Sequence, residues 1–182
     1  MAGLDIAFEI SGKITDIETI AELAIIAEAD GASFDWLYTA HADEIEATII
    51  EKAQSNSAIC FVKANTTDPL EQLAAFCRDR GLSYRKQFSY PGTDGYFSAD
   101  IWSPEEGKLV SFALDDEGKP SIPMTELTKA VEKGPKAVAE LMSHINGTFS
   151  RADTAKLEVS EDVMANWLAA NPQIKRTPSP RL

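Results

Sequence analysis

Apolar and polar positions along this chain follow two rhythms, and the same succession of rhythms occurs twice. Ile6, Phe8 and Ile10 recur at every second residue, the spacing that places side chains on one face of a strand. The period then lengthens, with Ile17, Ile20, Ala24 and Ala27 falling on one helical stripe. Thr15, with Glu18 three residues on, reads as a capping box, and Gly31 as the stop. Residues 33–38 read as a second strand. The later copy begins with the apolar run Ala58-Ile59-Cys60-Phe61-Val62. Asp68 reads as its N-cap, Pro69 as N1 and Glu71 as N3, with Leu70, Leu73, Ala74 and Cys77 as the buried stripe. Gly81 ends the helix, and residues 82–90 alternate as a strand does. A helix over about 42–54 joins the copies.

After the second copy the chain reads as hairpins. A Pro91-Gly92-Thr93-Asp94-Gly95 loop separates alternating segments, and Ser103-Pro104-Glu105-Glu106-Gly107 turns into KLVSFAL. From Pro123 the pattern is helical again, broken at Gly134-Pro135 into pieces of about 124–132 and 136–145. A polar connection follows, then a last helix opened by Ser160 and closed by Asn171-Pro172. The expected class is α+β: two strand–helix–strand units in a mixed sheet, helices mainly on one face, an antiparallel β-meander and C-terminal helices. The expected division is a single domain over 1–150, followed over 151–182 by a helix and a basic, proline-punctuated tail that reads as disordered.

Composition narrows the setting. The 182 residues are 44% hydrophobic and 25% charged, ordinary for a globular chain able to bury a core. The first residues lack the basic start and long apolar run of a secretory signal, and no apolar stretch approaches a membrane span. Cys60 and Cys77 make no disulfide framework, and each sits on an apolar stripe as a structural thiol would. A cytoplasmic location is expected.

Charge adds more. The net charge is −12, and residues 1–57 hold 12 acids against two bases, Lys13 and Lys52, a net of −10. Such a segment repels phosphates, so direct nucleic-acid binding is not expected, and it suits a basic partner surface. Glu18 and Glu22 share one helical face, and Glu44 and Glu51 another. Tyr90, Tyr96 and Phe97 flank the 91–95 loop, Trp102 lies one strand further, and Trp167 lies on the apolar stripe of the last helix.

No motif with a strong mechanism is present: no Gly-rich phosphate loop, HExxH, GxSxG or paired CxxC. His41 and Glu44 lie one turn apart without a second histidine nearby, and no metal or cofactor is expected. The leading expectation is an acidic protein-binding module or inhibitor, acting through Glu18, Glu22, Glu44, Glu51, Tyr90, Tyr96, Trp102 and Trp167. Its sharpest form is a nucleic-acid mimic directed at a DNA- or RNA-handling protein. Two alternatives stand beside it. One is an enzyme whose dispersed site would use Asp94, Asp100 and His41 with the Arg78, Arg80, Arg85 and Lys86 cluster. The other is a self-associating protein in which the acidic unit of one copy meets that basic cluster on the next. No membrane partner is expected.

Overall fold

A computed structural model describes residues 3–172 apart from Leu37, Asp94 and Ala155, with the side chains of Asp153 and Thr154 also left aside. The tail expected to be disordered therefore lies outside the described residues. The elements run β1 (Leu4–Ile14), α1 (Ile17–Ala29), α2 (Ala42–Gln54), β2 (Ile59–Thr66), α3 (Glu71–Asp79), β3 (Ser83–Ser89), β4 (Ser98–Ser103), β5 (Lys108–Leu114) and β6 (Pro120–Ser121). They close with α4 (Met124–Lys133), α5 (Pro135–Thr154), β7 (Leu157–Val159) and α6 (Glu161–Ala170). The class is α+β, with the sheet ordered β2-β1-β3-β4-β5-β6 and β7 beside the end of β1.

β1 is the axis of the molecule. It runs antiparallel to both β2 and β3, so those two are parallel to each other with β1 inserted between them. The second sequence unit, β2-α3-β3, is thus a split β-α-β crossover. Beyond Gly12, β1 takes a third neighbour, pairing in parallel with β7. β3 to β6 form the expected antiparallel meander.

Alternation along the strands divides the sheet into two faces. Ile6, Phe8 and Ile10 of β1 and Tyr84 of β3 meet α1, α2, α3 and α6 in the main core, through Ile20 and Leu23, Ile45 and Ile49, Leu73 and Cys77, and Val163 and Trp167. Each fully buried aliphatic or aromatic side chain there contributes about 1.5–3 kcal/mol. Tyr84 stacks on Phe8 with ring centroids 5.0 Å apart. On the reverse face, Ile101 and Phe112 pack against Ile145 of α5, with Leu141 and Phe149 beside them. Four helices therefore share one face and α5 crosses the other.

Four local expectations change. The strand expected over 33–38 shrinks to a single bridge, Ser33 to Val62, because Phe34 turns inward to stack on Phe61 at 4.7 Å and the chain then bends towards α2. The N-cap of α1 is Asp16 rather than Thr15, its carboxylate accepting the Thr19 N–H at 2.8 Å. α3 starts later than the Asp68 cap predicts. Asp68 instead accepts the Leu70 N–H at 3.2 Å and pairs with Lys63 at 2.9 Å, and Leu70, at φ +56°, becomes the N-cap. Last, α5 continues through Thr154, well past 145, because Ile145, Phe149 and Ala152 recur at helical spacing against the reverse face. The expected division at 150/151 thus falls within α5, and α6 beyond it is anchored in the main core.

Candidate functional site

The acidic unit presents its charge on the outer surfaces of α1 and α2. Glu18, Glu22, Ile25 and Ala29 follow one another at helical spacing along α1, and all four are exposed. Ile25 is 58% exposed. On the loop between α1 and α2, Trp36 and Tyr38 are 41% and 54% exposed. Exposed isoleucine, tryptophan and tyrosine side chains thus lie within fourteen residues of one another, in a segment rich in carboxylates.

Hydrogen bonds fix this loop to both helices. The Tyr38 hydroxyl donates to the Glu44 carboxylate at 2.9 Å, and Glu44 also accepts the His41 backbone N–H at 3.0 Å, capping α2. His41 Nδ1 meets Glu28 Oε1 of α1 at 2.9 Å. That hydrogen bond, helped by the Glu28 charge, raises the His41 pKa above its ordinary value and lowers that of Glu28. The Glu44 pKa is lowered by the His41 N–H and then by Tyr38. Hence Glu44 and Glu28 hold the loop in place, while Glu18 and Glu51 are exposed on their helices.

The other expected residues disperse. Glu22 forms an ion pair with Arg80 of the second unit, so the acidic and basic segments meet within one chain. Arg78 donates to the Tyr84 hydroxyl at 2.9 Å, Arg85 pairs with Glu9, and Lys86 with Glu71. Tyr90 is exposed and stacks on Phe97 at 4.6 Å. Tyr96 is partly buried, and burial raises the pKa of its phenol. Trp102 packs against the main core from β4. Trp167 is buried in the same core and its indole N–H donates to Glu46 of α2 at 3.2 Å. The dispersed catalytic set does not assemble either: His41 pairs with Glu28, Asp100 accepts from Ser111 at 2.6 Å, and Asp94 lies outside the described residues.

A second feature lies on the reverse face, where the sheet meets the C-terminal half of α5. A cleft of about 240 Å³ is lined by Glu9 of β1, Arg85 of β3, Ile101 of β4, Glu106 of the β4–β5 turn, and Thr148 and Arg151 of α5, among others. Arg85 Nε donates to Glu9 Oε2 at 2.8 Å, and its guanidinium lies 5.8 Å from the centre of the Phe149 ring. Arg151 reaches Glu106 Oε1 at 2.5 Å, and Thr148 Oγ1 donates to the same oxygen at 3.2 Å. The cleft residues come from four elements and the β4–β5 turn and carry no motif spacing, so of them sequence reading singled out only Arg85, as part of a basic cluster. Ile25, Trp36 and Tyr38 were missed for another reason, since only Ile25's position on the polar side of the α1 stripe marks it.

Among the described residues, no group of three His, Cys, Asp or Glu side chains converges as metal ligands, and no helix is long and apolar enough to cross a membrane. Both cysteines are free; burial pushes the Cys60 thiol up to about 11 and the Cys77 thiol up to about 12, so both stay protonated and unreactive at neutral pH. No family model, curated protein or solved structure matches the chain.

Proposed function

We propose that the chain is a cytoplasmic protein-binding module whose acidic, aromatic face on α1 and the α1–α2 loop receives a basic partner. The observation that carries this reading is the coincidence of Ile25, Trp36 and Tyr38, all exposed, with the carboxylates of Glu18, Glu22 and Glu44. Apolar and aromatic groups supply binding energy on desolvation, and surrounding carboxylates steer a basic surface onto them. Tyr90 on its separate loop offers a second exposed aromatic outside this face. Self-association through the basic cluster is the weaker reading, since Arg78, Arg80, Arg85 and Lys86 already meet groups of their own chain.

The test uses the immobilised full chain in nuclease-treated host lysate, with two variants. One replaces Glu18, Glu22, Glu44 and Glu51 by lysine, and the other carries Ile25→Ser and Trp36→Ala. A partner recovered by the parent chain and lost with both variants supports the reading, provided circular dichroism shows both folded. Retention by both variants overturns it. The nucleic-acid-mimic form makes a further demand: duplex DNA or RNA must compete with the chain for that partner, and binding must weaken steeply with salt.

A further inference from the structure

The cleft on the reverse face is independent of the acidic face and has a chemistry of its own. Its ionisable lining is three carboxylates, Glu9, Glu105 and Glu106, against two guanidiniums, Arg85 and Arg151. Glu106 is the most asymmetric of these groups. Both of its donors, Thr148 and Arg151, are directed at Oε1, whereas Oε2 is buried with no hydrogen-bond partner among the described residues. A carboxylate oxygen out of water and without a donor is destabilising. The surroundings are held firmly: the Arg85 side chain is 10% exposed and Thr148 is 4% exposed. Oε2 has no solvent contact as the structure stands, so it meets a ligand on rotation of the soft terminal torsion of Glu106, which moves Oε1 and its donors with it.

The volume limits what enters. At about 30 Å³ per water, the cleft corresponds to about eight waters, the space of a molecule with roughly six to ten non-hydrogen atoms. Ile101 and Ala152 supply apolar lining for a short carbon skeleton. The excess of carboxylate over guanidinium and the missing donor at Glu106 select the head group. We propose that this cleft binds a small organic ammonium, a primary amine on a short aliphatic or aryl chain, with its N–H donors on the Glu106 carboxylate and its carbon skeleton against Ile101 and Ala152.

The proposal is tested on the full chain at 150 mM NaCl by two-dimensional amide NMR, titrating putrescine, hexylamine and phenethylamine. Hexanoate and 1-hexanol serve as anionic and neutral controls of matched size. The expected result is saturable shifts for at least one amine, centred on Ser103, Glu106, Thr148 and Arg151, with the controls at least tenfold weaker. Glu106→Gln removes the charge while keeping the shape and is expected to weaken that amine about tenfold or more. Glu126→Gln removes a carboxylate of the same kind from an exposed position outside the cleft and is expected to keep amine binding, and each variant's own spectrum reports whether it is folded. Equal binding of hexanoate overturns the proposal, as does unaltered amine binding in folded Glu106→Gln. Shifts scattered over Glu18, Glu22 and Glu44 instead of the cleft overturn it too, as does the absence of saturable shifts at 10 mM amine. None of these outcomes depends on whether the α1–α2 face binds a protein.

Discussion

The carboxylate of Asp30, at the C-cap of α1, accepts the backbone N–H of Leu73 in the first turn of α3 at 3.1 Å. One helix end thereby caps the start of another, supplying the acceptor that Leu70 in the N-cap position lacks. Asp30 is 2% exposed and its other oxygen has no partner among the described residues.

Burial raises the Asp30 pKa above its ordinary 3.8, against the lowering effect of the Leu73 hydrogen bond. The folded state therefore holds the proton more tightly than the unfolded chain. Its contribution is fully present below the unfolded pKa of 3.8 and is lost as pH rises through the raised folded value. Asp30→Ala is expected to cost about 1–2 kcal/mol at acidic pH and less at neutral pH. Asp30→Asn keeps the acceptor and should flatten this dependence. Urea unfolding of the three proteins at about pH 3.5 and pH 7 checks both statements; an alanine variant hurt more at neutral pH contradicts the account.

The His41–Glu28 pair sets a window of pH rather than a single limit. The His41 pKa is raised from 6.5, so its contribution is present below that value and is lost as pH rises through the folded pKa. The Glu28 pKa is lowered from 4.5, so its contribution is present above that value and is lost on acidification. The loop carrying Trp36 and Tyr38 should thus be held best between about pH 4.5 and 6.5. NMR titration of the imidazole should show the His41 pKa falling towards its ordinary value in Glu28→Gln. An unmoved titration would remove this pair as the anchor of the loop.

Lys86 offers a test of buried charge. Its side chain is 3% exposed, with Nζ at 3.0 Å from the Pro69 carbonyl and 2.8 Å from Glu71, which is itself 58% exposed. Removing the acid strands a buried cation, whereas replacing the cation with an apolar side chain of similar length does not. Glu71→Ala is therefore expected to cost about 1–3 kcal/mol and Lys86→Met less than that, by denaturant unfolding. The reverse order would show that Lys86 is sufficiently solvated without its partner.

Trp167 tests whether the last helix belongs to the domain. Trp167→Ala should cost about 3–5 kcal/mol through the cavity it leaves, and Trp167→Phe less, through the lost indole donor to Glu46. A loss below about 1 kcal/mol for the alanine variant would mean that α6 contributes little to the core.

Local patterns were legible and distant pairings were not. The hairpin from Ser98 to Leu114 follows from period-2 alternation on both sides of a Pro-Glu-Glu-Gly turn, information contained within a few residues. The continuation of α5 was present in Ile145, Phe149 and Ala152 but was masked by Asn146, Gly147 and Thr148, which read as a connection when taken alone. Nothing local indicates that Asp30 caps a helix 43 residues on, or that Glu22 meets Arg80 across 58. For the same reason the acids on α1 and α2 read as less compensated than they are. The cleft is a still harder case, since Glu9, Arg85, Glu106 and Arg151 converge only once sheet order and the position of α5 are known.

The central place of β1 also bears on how the chain is made. Its partners β2, β3 and β7 begin at residues 59, 83 and 157, so β1 leaves the ribosome long before any strand that can pair with it. Until then Ile6, Phe8 and Ile10 have no sheet to join, and pairings of such long sequence separation form slowly. During that interval the surrounding acids, at −10 over the first 57 residues, keep nascent copies apart by mutual repulsion. The same carboxylates that lie exposed on α1 and α2 of the finished molecule thus also guard an unfinished strand against its own kind.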